Sequence, residues 1–232
     1  MPQMLTSTIV RPRAAASLVV LRRETGEPEF LLGRRPATMT FMPNAYVFPG
    51  GRLEPDDSRI QAATPLDPTI APYLAVGNDA RRAQALAAAA IRETFEETGL
   101  LLGRPGDVGA VAGPSWLAFK QTGLAPDLAR LRYIARAITP TFRPLRFHAR
   151  FFLAELTGSS EPLRENNELL DLRWLTLSQS EALPLAEVTR FVLAEALRLL
   201  NDTTEGSRRA VFTYHRIHGR RVRYCRGGFV EE

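Results

Sequence analysis

The sequence predicts an α/β fold, in which a mixed β-sheet carries helices on its faces. Three observations lead there. Short apolar and β-branched runs recur at residues 14–21 and 29–33 and in "HARFFLAEL" and "LLDLRWLTL". Helical repeats stand between them, above all an Ala-rich run over residues 79–98. The chain of 232 residues is also long enough to enclose a full apolar core.

Residues 14–21 read as a strand rather than a secretion signal, because the apolar run is short and meets Arg22, Arg23 and Glu24. A turn at Gly26 and Pro28 leads into the strand at 29–33. Residues 45–48 form a short strand that Pro49, Gly50 and Gly51 terminate. The Pro- and Asp-rich stretch that follows lacks periodicity and reads as an insertion at about 57–80, with a short helix around 70–76. The long helix begins near Asp79 and ends before Gly99. "SWLAFKQTG" and "PDLARLRYIARAI" are expected to be helices, the second from Leu128, Leu131 and Ile134. "LAEVTRFVLAEALRLL" is an amphipathic helix, and two alternating segments around His218 and Gly219 form a hairpin.

Composition narrows the function. The chain is 45% hydrophobic and 24% charged, and no apolar run approaches the roughly 20 residues of a membrane helix. A single cysteine, Cys225, excludes an intrachain disulfide and a cysteine zinc cluster, which fits a reducing, cytoplasmic setting. The net charge is +5, and Lys120 is the only lysine among 30 basic residues. Guanidinium forks match phosphate oxygens, so a phosphate-bearing small molecule is the expected partner and nucleic acid the rival one. Arg216, Arg220, Arg221, Arg223 and Arg226 make the densest basic patch, readable as a phosphate contact, a nucleic-acid surface, a subunit interface or a solvated hairpin. A homodimer is left open.

The stretch "IRETFEETGL" is the most informative. At about 100° per residue, Glu93, Glu96 and Glu97 fall on one side of the helix, with Ile91, Phe95 and Ala88 opposite. Glu93 and Glu97 repel at i,i+4, and acid near a helix C-terminus opposes the macrodipole. A solvated acidic face would tolerate that cost; a divalent cation held by carboxylate oxygens would offset it.

With Arg92 before the acids and Gly99 after them, the stretch resembles the second half of the Nudix box, G-x5-E-x7-R-E-U-x-E-E-x-G-U, U being a large aliphatic residue. Arg92, Glu93, Glu96, Glu97, Gly99 and Leu100 match, and Thr94 stands where an aliphatic is usual. Gly50 and Gly51 resemble the glycines that open the box, and Asp57 stands at the place of its first glutamate. Arg92 follows Gly51 by 41 positions, 27 more than the pattern sets, so the box is interrupted. The excess falls between loop and helix, where chain can bulge outward at modest entropic cost. Gln84, the alternative alignment to the first acid, is not a carboxylate.

The resemblance, over roughly residues 14–180, implies a single Nudix-type α/β/α domain over 1–232, with its core at about 14–200 and a C-terminal extension at about 205–232. It also implies hydrolysis of a nucleoside diphosphate linked to another group, with Mg²⁺ or Mn²⁺ as cofactor. Glu93, Glu97 and then Glu96 are the implied metal ligands, with Gly51 offering a backbone carbonyl. Arg92 orients the glutamates, and Glu168 or Glu165 is the implied general base. Arg34, Arg35, Phe41 and Gly50 are the candidate substrate contacts.

The segment "GRRPATMTFMPNAYVFPGG" is similar to the branch with an interrupted box that includes a coenzyme A diphosphatase. The better-known coenzyme A signature would place an Arg and a Gly at Thr40 and Asn44, and neither is present. Coenzyme A or an acyl derivative is the leading substrate, with ADP-ribose, NADH-like molecules and capped RNA ends open. Two readings from other classes remain: a Nudix-fold module that senses a nucleotide without cleaving it, and a nucleic-acid binder using the C-terminal arginines. Phe48 and Trp174 are expected in the core and His148 as a satisfied structural histidine. His215 and His218 are expected to point to opposite faces of a strand.

Overall fold

The computed structural model describes residues 10–24, 26–77, 79–157 and 162–201, and the backbone of the strands at 209–215, 219–226 and 229–230. In chain order the strands are β1 (Arg13–Arg22), β2 (Glu29–Arg34), β3 (Tyr46–Val47), β4 (Gly50–Arg52), β5 (Gly103–Pro105), β6 (Leu124–Pro126), β7 (Arg132–Ile138), β8 (Phe147–Glu155), β9 (Leu170–Leu175), β10 (Arg209–His215), β11 (Gly219–Arg226) and β12 (Phe229–Val230). The α-helices are α1 (Ala80–Thr98), α2 (Pro114–Gln121), α3 (Leu177–Glu181) and α4 (Glu187–Asn201).

The main sheet is mixed, in the order β12-β11-β10-β7-β8-β1-β2-β3, with β4 added to β1 and β9 to β2. Strands β1 and β8 run parallel, as do β10 and β7, and the other pairs are antiparallel. One apolar cluster, holding Leu18, Val20, Leu31, Leu86, Ile91 and Phe152, lies between the sheet and α1. The other, holding Val19, Leu21, Phe30, Leu32, Phe151 and Val192, lies between the sheet and α4. Alternate residues of β1 enter opposite clusters, as period-2 geometry requires, and the result is an α/β/α sandwich. Among the described residues no helix is long and apolar enough to cross a membrane.

Strand β1 divides one edge between two partners. Leu21 and Arg22 pair with β2, whereas Ala15, Ala16 and Ser17 pair with Arg52, Gly51 and Gly50 of β4. Strand β3 ends at Val47, ahead of Pro49 as expected, but the two glycines are not loop: they open β4. Pro49 has no N–H to give, but its carbonyl accepts from Leu18 at 3.0 Å, and pairing resumes at Gly50. A Cβ on Gly50 would come within 2.2 Å of Ser17 Oγ and 2.6 Å of the Ala16 carbonyl, so only glycine lets β4 lie this close to β1.

Helix α1 starts and stops as its sequence predicts. The Asp79 carboxylate accepts from the Arg82 N–H at 3.0 Å, and Gly99, at φ 78°, closes the last turn by donating to Phe95 O at 2.9 Å. Its run of buried alanines lets the helix approach the sheet closely.

Two other expectations are corrected. "PDLARLRYIARAI" is not a helix: a 3-10 turn at Leu128–Arg130 leads into β7. Tyr133, Ile134 and Ala135 are all buried around a bulge, so two-sided burial hides the alternation that would mark a strand. The insertion does not simply bulge outward, because 3-10 turns at Pro55–Ser58 and Pro68–Leu74 fold it back and bury Leu66, Ile70 and Leu74 in the α1 core. Strands β10 and β11 form the expected hairpin and extend the sheet through β7. The arginines, His215 and His218 assigned to it fall where side chains, or whole residues, lie outside the described ones.

Candidate active site

Arg92 is the centre of the site and is only 1% exposed. Its Nε donates to Asp57 Oδ1 at 2.8 Å and its Nη2 to Asp57 Oδ2 at 3.2 Å. Nη2 also donates to the Arg52 carbonyl at 2.9 Å, and Nη1 reaches Glu93 Oε1 at 2.9 Å and Glu96 Oε1 at 2.8 Å. One buried guanidinium thus joins β4, the insertion and the acidic end of α1. An exposed, nearly inert i,i+4 pair is excluded by that burial. The surrounding carboxylates raise the Arg92 pKa despite burial, so the group stays charged.

Asp57 is 2% exposed and fully engaged. Besides Arg92, it accepts from Trp116 Nε1 at 2.9 Å and from the Glu54 N–H at 2.7 Å. The acid six residues after Gly51 therefore meets Arg92, and the extra residues loop away between them. Neighbouring Asp56 accepts the backbone N–H groups of Gly113 at 2.7 Å and Ala112 at 2.8 Å, which hold its carboxyl below the usual range. Trp116 and Asp56 carried no sequence signal, since their partners come from distant loops.

Glu93 and Glu97 are buried, contrary to a solvated acidic face, while Glu96 is partly exposed. Burial pushes Glu93 up to about 7 against the pull of Arg92, with Glu96 and Glu168 adding to the rise. Burial, then the charge of Glu93, holds Glu97 well above the usual carboxylate range. Glu97 Oε2 accepts the Gly50 N–H at 2.8 Å, and among the described residues no cation pairs with it. A Cβ on Gly51 would fall 2.3–2.6 Å from the Glu93 carboxylate, so the second glycine makes the space that Glu93 fills. Thr94, where an aliphatic is usual, stays buried by donating its hydroxyl to the Ala90 carbonyl at 2.8 Å.

The donor set is all carboxylate oxygen, the chemistry of a hard cation such as Mg²⁺ or Mn²⁺. Among the described residues no three acidic, His or Cys side chains converge as a ready-made cluster, because Glu96 turns to Arg92. Glu97, without an ion pair among the described residues, and Glu93, which shares Arg92 with Asp57 and Glu96, flank the glycine cradle and are the residues that fit an ion.

The other candidates separate by geometry. The charge of Glu168 reaches both Glu93 and Glu97, whereas Glu165 accepts the Leu172 N–H at 3.3 Å. Asn166 ties this loop to the helix: its Nδ2 donates to the Glu96 carbonyl at 3.2 Å, and its Oδ1 accepts the N–H groups of Glu168 and Leu169, each at 2.8 Å. Sequence reading missed Asn166, although an Asn two residues before an acid is a recurrent turn signal. Arg35 acts on Glu97 and donates from Nε to the Phe41 carbonyl at 2.9 Å. Arg34 instead acts on Tyr46 and Asp171, the alternation expected of a strand. Phe41 packs edge-on to Phe147, and Phe48 is core as expected. Trp174 is partly buried, with the Arg22 guanidinium 4.6 Å over its ring. The Gly50 N–H, a candidate substrate contact, is occupied by Glu97.

His148 is the structural histidine expected, partly exposed and with a side-chain partner for its ring. Its nearest polar neighbour is Arg136 Nη1 at 3.4 Å, and burial, then Arg150 and Arg136, lower its pKa to about 3. Below the usual 6.5 the unfolded chain takes up a proton that the folded one refuses. Stability is therefore lost as pH falls from about 6.5 toward 3, by up to about 1.4 kcal/mol per pH unit for one full proton. Urea titrations between pH 7 and 5 should show this slope in the wild type and a shallower one in His148→Phe.

The NUDIX domain profile matches residues 75–196, and the chain belongs to the Nudix family. A NUDIX hydrolase from Alicyclobacillus acidocaldarius is 31% identical, with 82% of this chain and 93% of that one aligned at a TM-score of 0.64. A Caenorhabditis elegans protein provisionally named nudix hydrolase 7 is 25% identical over 177 residues, 70% of this chain and 51% of that protein. The chain thus spans about half the length of that curated relative. The NUDIX domain of Shewanella oneidensis NrtR, solved with ADP ribose, shares the fold at 11% identity and a TM-score of 0.50 over 82% of this chain and 90% of that one.

Proposed function

We propose that the chain is a divalent-metal-dependent pyrophosphohydrolase that cleaves the diphosphate of a nucleoside diphosphate linked to a second group. The observation that carries this reading is the buried pair Glu93 and Glu97, set against Gly50 and Gly51, with no ion pair at Glu97 among the described residues. Glu93 and Glu97 would hold the ion, and Glu96 would join them on leaving Arg92. When bound, Mg²⁺ or Mn²⁺ supplies neutralisation of the pyrophosphate oxygens and Lewis-acid activation of water. Arg92 is a positioning residue, fixing Glu93 from below while Asp57 fixes Arg92. Glu168 is exposed, and its carboxylate has no partner among the described residues, which suits acceptance of a proton from the attacking water. Arg35, beside Glu97, suits a phosphate oxygen of the substrate.

Coenzyme A or an acyl derivative is the leading substrate class. The interrupted box supports it; Asn44, where the better-known coenzyme A signature has glycine, holds φ 59°. Asparagine visits this left-handed region more readily than other side chains do, so the loop keeps its course. Thr40 leaves that signature's arginine without a counterpart.

Incubation with coenzyme A esters, dinucleotides and ADP-ribose in Mg²⁺ or Mn²⁺ should release a nucleoside monophosphate-type product, and chelation should abolish turnover. Absence of turnover on every member with either ion would overturn the proposal. Nucleic-acid binding that survives chelation and falls steeply with salt would favour the rival reading instead.

A further inference from the structure

The segment that interrupts the Nudix box covers a second polar site. A cavity of about 330 Å³ opens between Ala75 and Val76 of that segment, the first turn of α1 at Asp79 and Arg82, and the strand ends carrying Ala14, His148 and Arg150. Its size is within the range of small-molecule sites.

The wall is strongly basic. Arg150 is 3% exposed and has only backbone partners: Nε gives to Leu74 O at 2.9 Å, Nη1 to His148 O at 2.7 Å, and Nη2 makes one long contact to Ala75 O at 3.4 Å. Arg136, opposite Arg150 in the β7–β8 ladder, lies 3.4 Å from His148 through Nη1, and its buried Nε has no hydrogen-bond partner among the described residues. Arg82 is exposed at the rim. Among the described residues no carboxylate pairs with Arg82, Arg136 or Arg150. The one acid on the wall, Asp79, is engaged as the α1 cap. Strand β10, which pairs with β7, contains no Asp or Glu in its sequence.

Tying the insertion to the sheet accounts for Arg150 Nε. It does not account for Arg82 and Arg150 on one cavity wall with no carboxylate paired to either among the described residues, and a third such arginine, Arg136, beside His148, since buried charge ordinarily finds a counter-charge. We propose that this cavity binds the phosphate group of a small molecule, at a site separate from the glutamates and roofed by the insertion. Arg82 and Arg150 would contact the phosphate and Arg136 would supply positive potential from beside His148. Arg82 lies about 16 Å before Glu93 along α1, so the phosphate bound here is not the one next to the metal ligands.

The test uses the full chain in chelator, which removes any dependence on turnover, and titrates inorganic phosphate at constant ionic strength against chloride. Saturable heat and a rise in melting temperature are expected. Glu97→Gln should keep both, and Arg82→Glu should weaken binding at least tenfold. An acid in the first helical turn does not disfavour α1, so Arg82→Glu reports on binding rather than folding. Arg150→Gln is expected to lose the response outright, and Arg82→Glu remains decisive if that variant does not fold. A nucleoside bisphosphate that binds tenfold tighter than phosphate, in a manner lost in Arg82→Glu, would show that the group arrives on a nucleotide; equal affinity would identify free phosphate. No saturable effect beyond chloride, an unchanged affinity in Arg82→Glu, or loss in Glu97→Gln would overturn the proposal.

Discussion

Glu97→Gln is expected to lower kcat by about 10³-fold or more while leaving the metal-free protein at least as stable as the wild type. The two effects share a cause. Glu97 is buried beside Glu93 and receives only the Gly50 N–H, so its negative charge is costly until a cation is supplied. Glutamine keeps the shape and can still accept from Gly50, but it offers no charge to an ion. The sign with pH follows from the raised pKa. Above the usual 4.5 the unfolded chain releases a proton that the folded one retains, so the Glu97 contribution to stability is present at low pH and lost as pH rises through the folded pKa. In chelator, wild type and variant should therefore melt alike near pH 4.5 and diverge at pH 8, with the variant higher. Added Mg²⁺ should raise the wild-type melting temperature and leave the variant nearly unmoved. Glu96→Gln should lose less activity, roughly 10–100-fold, because Glu96 already faces Arg92. A Glu97→Gln protein with wild-type turnover would remove the glutamates from the chemistry.

What could be read from the sequence was local. Asp79 and Gly99 bound α1 correctly because a cap is decided within one turn. The angular grouping of Glu93, Glu96 and Glu97 needed only the helical period, although that period could not say whether the face met water or protein. Burial of Glu93 and Glu97 depends on β4 running beneath them, and that pairing was hidden by Pro49 and two glycines that ordinarily end strands. Strand β7 was missed because a 3-10 turn followed by a bulged strand reproduces apolar residues three apart. The basic cavity was not legible either. Arg136 and Arg150 are brought together by the β7–β8 register, and the short helix expected around 70–76 gave no sign that Ile70 and Leu74 enter the core above them. Position 57 sits between these cases: spacing from Gly51 singled out the acid, but only the return of the insertion shows what it touches.

Asp57→Ala is expected to destabilise the metal-free protein by about 3–5 kcal/mol, a large share of the stability of an ordinary domain. Three losses coincide. Arg92 keeps its buried charge without the carboxylate that binds Nε and Nη2, Trp116 Nε1 is left in the core without an acceptor, and the Glu54 N–H loses its cap. Asp57→Asn should cost less, since its amide oxygen can accept one of these bonds. Urea denaturation in chelator measures both. The same experiment separates two roles for the acid. Were Asp57 a metal ligand, its removal would spare metal-free stability and weaken the response to Mg²⁺. Were it the anchor of Arg92, stability would fall without any metal, and the Mg²⁺ response of whatever still folds would fall only as far as Glu93 drifts from Gly51. The contacts favour the anchor, because both Asp57 oxygens are taken by N–H donors. An interrupted box can then work as a continuous one does: the arginine needs its acid at the right place in space, and the intervening residues are free to fold over another part of the sheet.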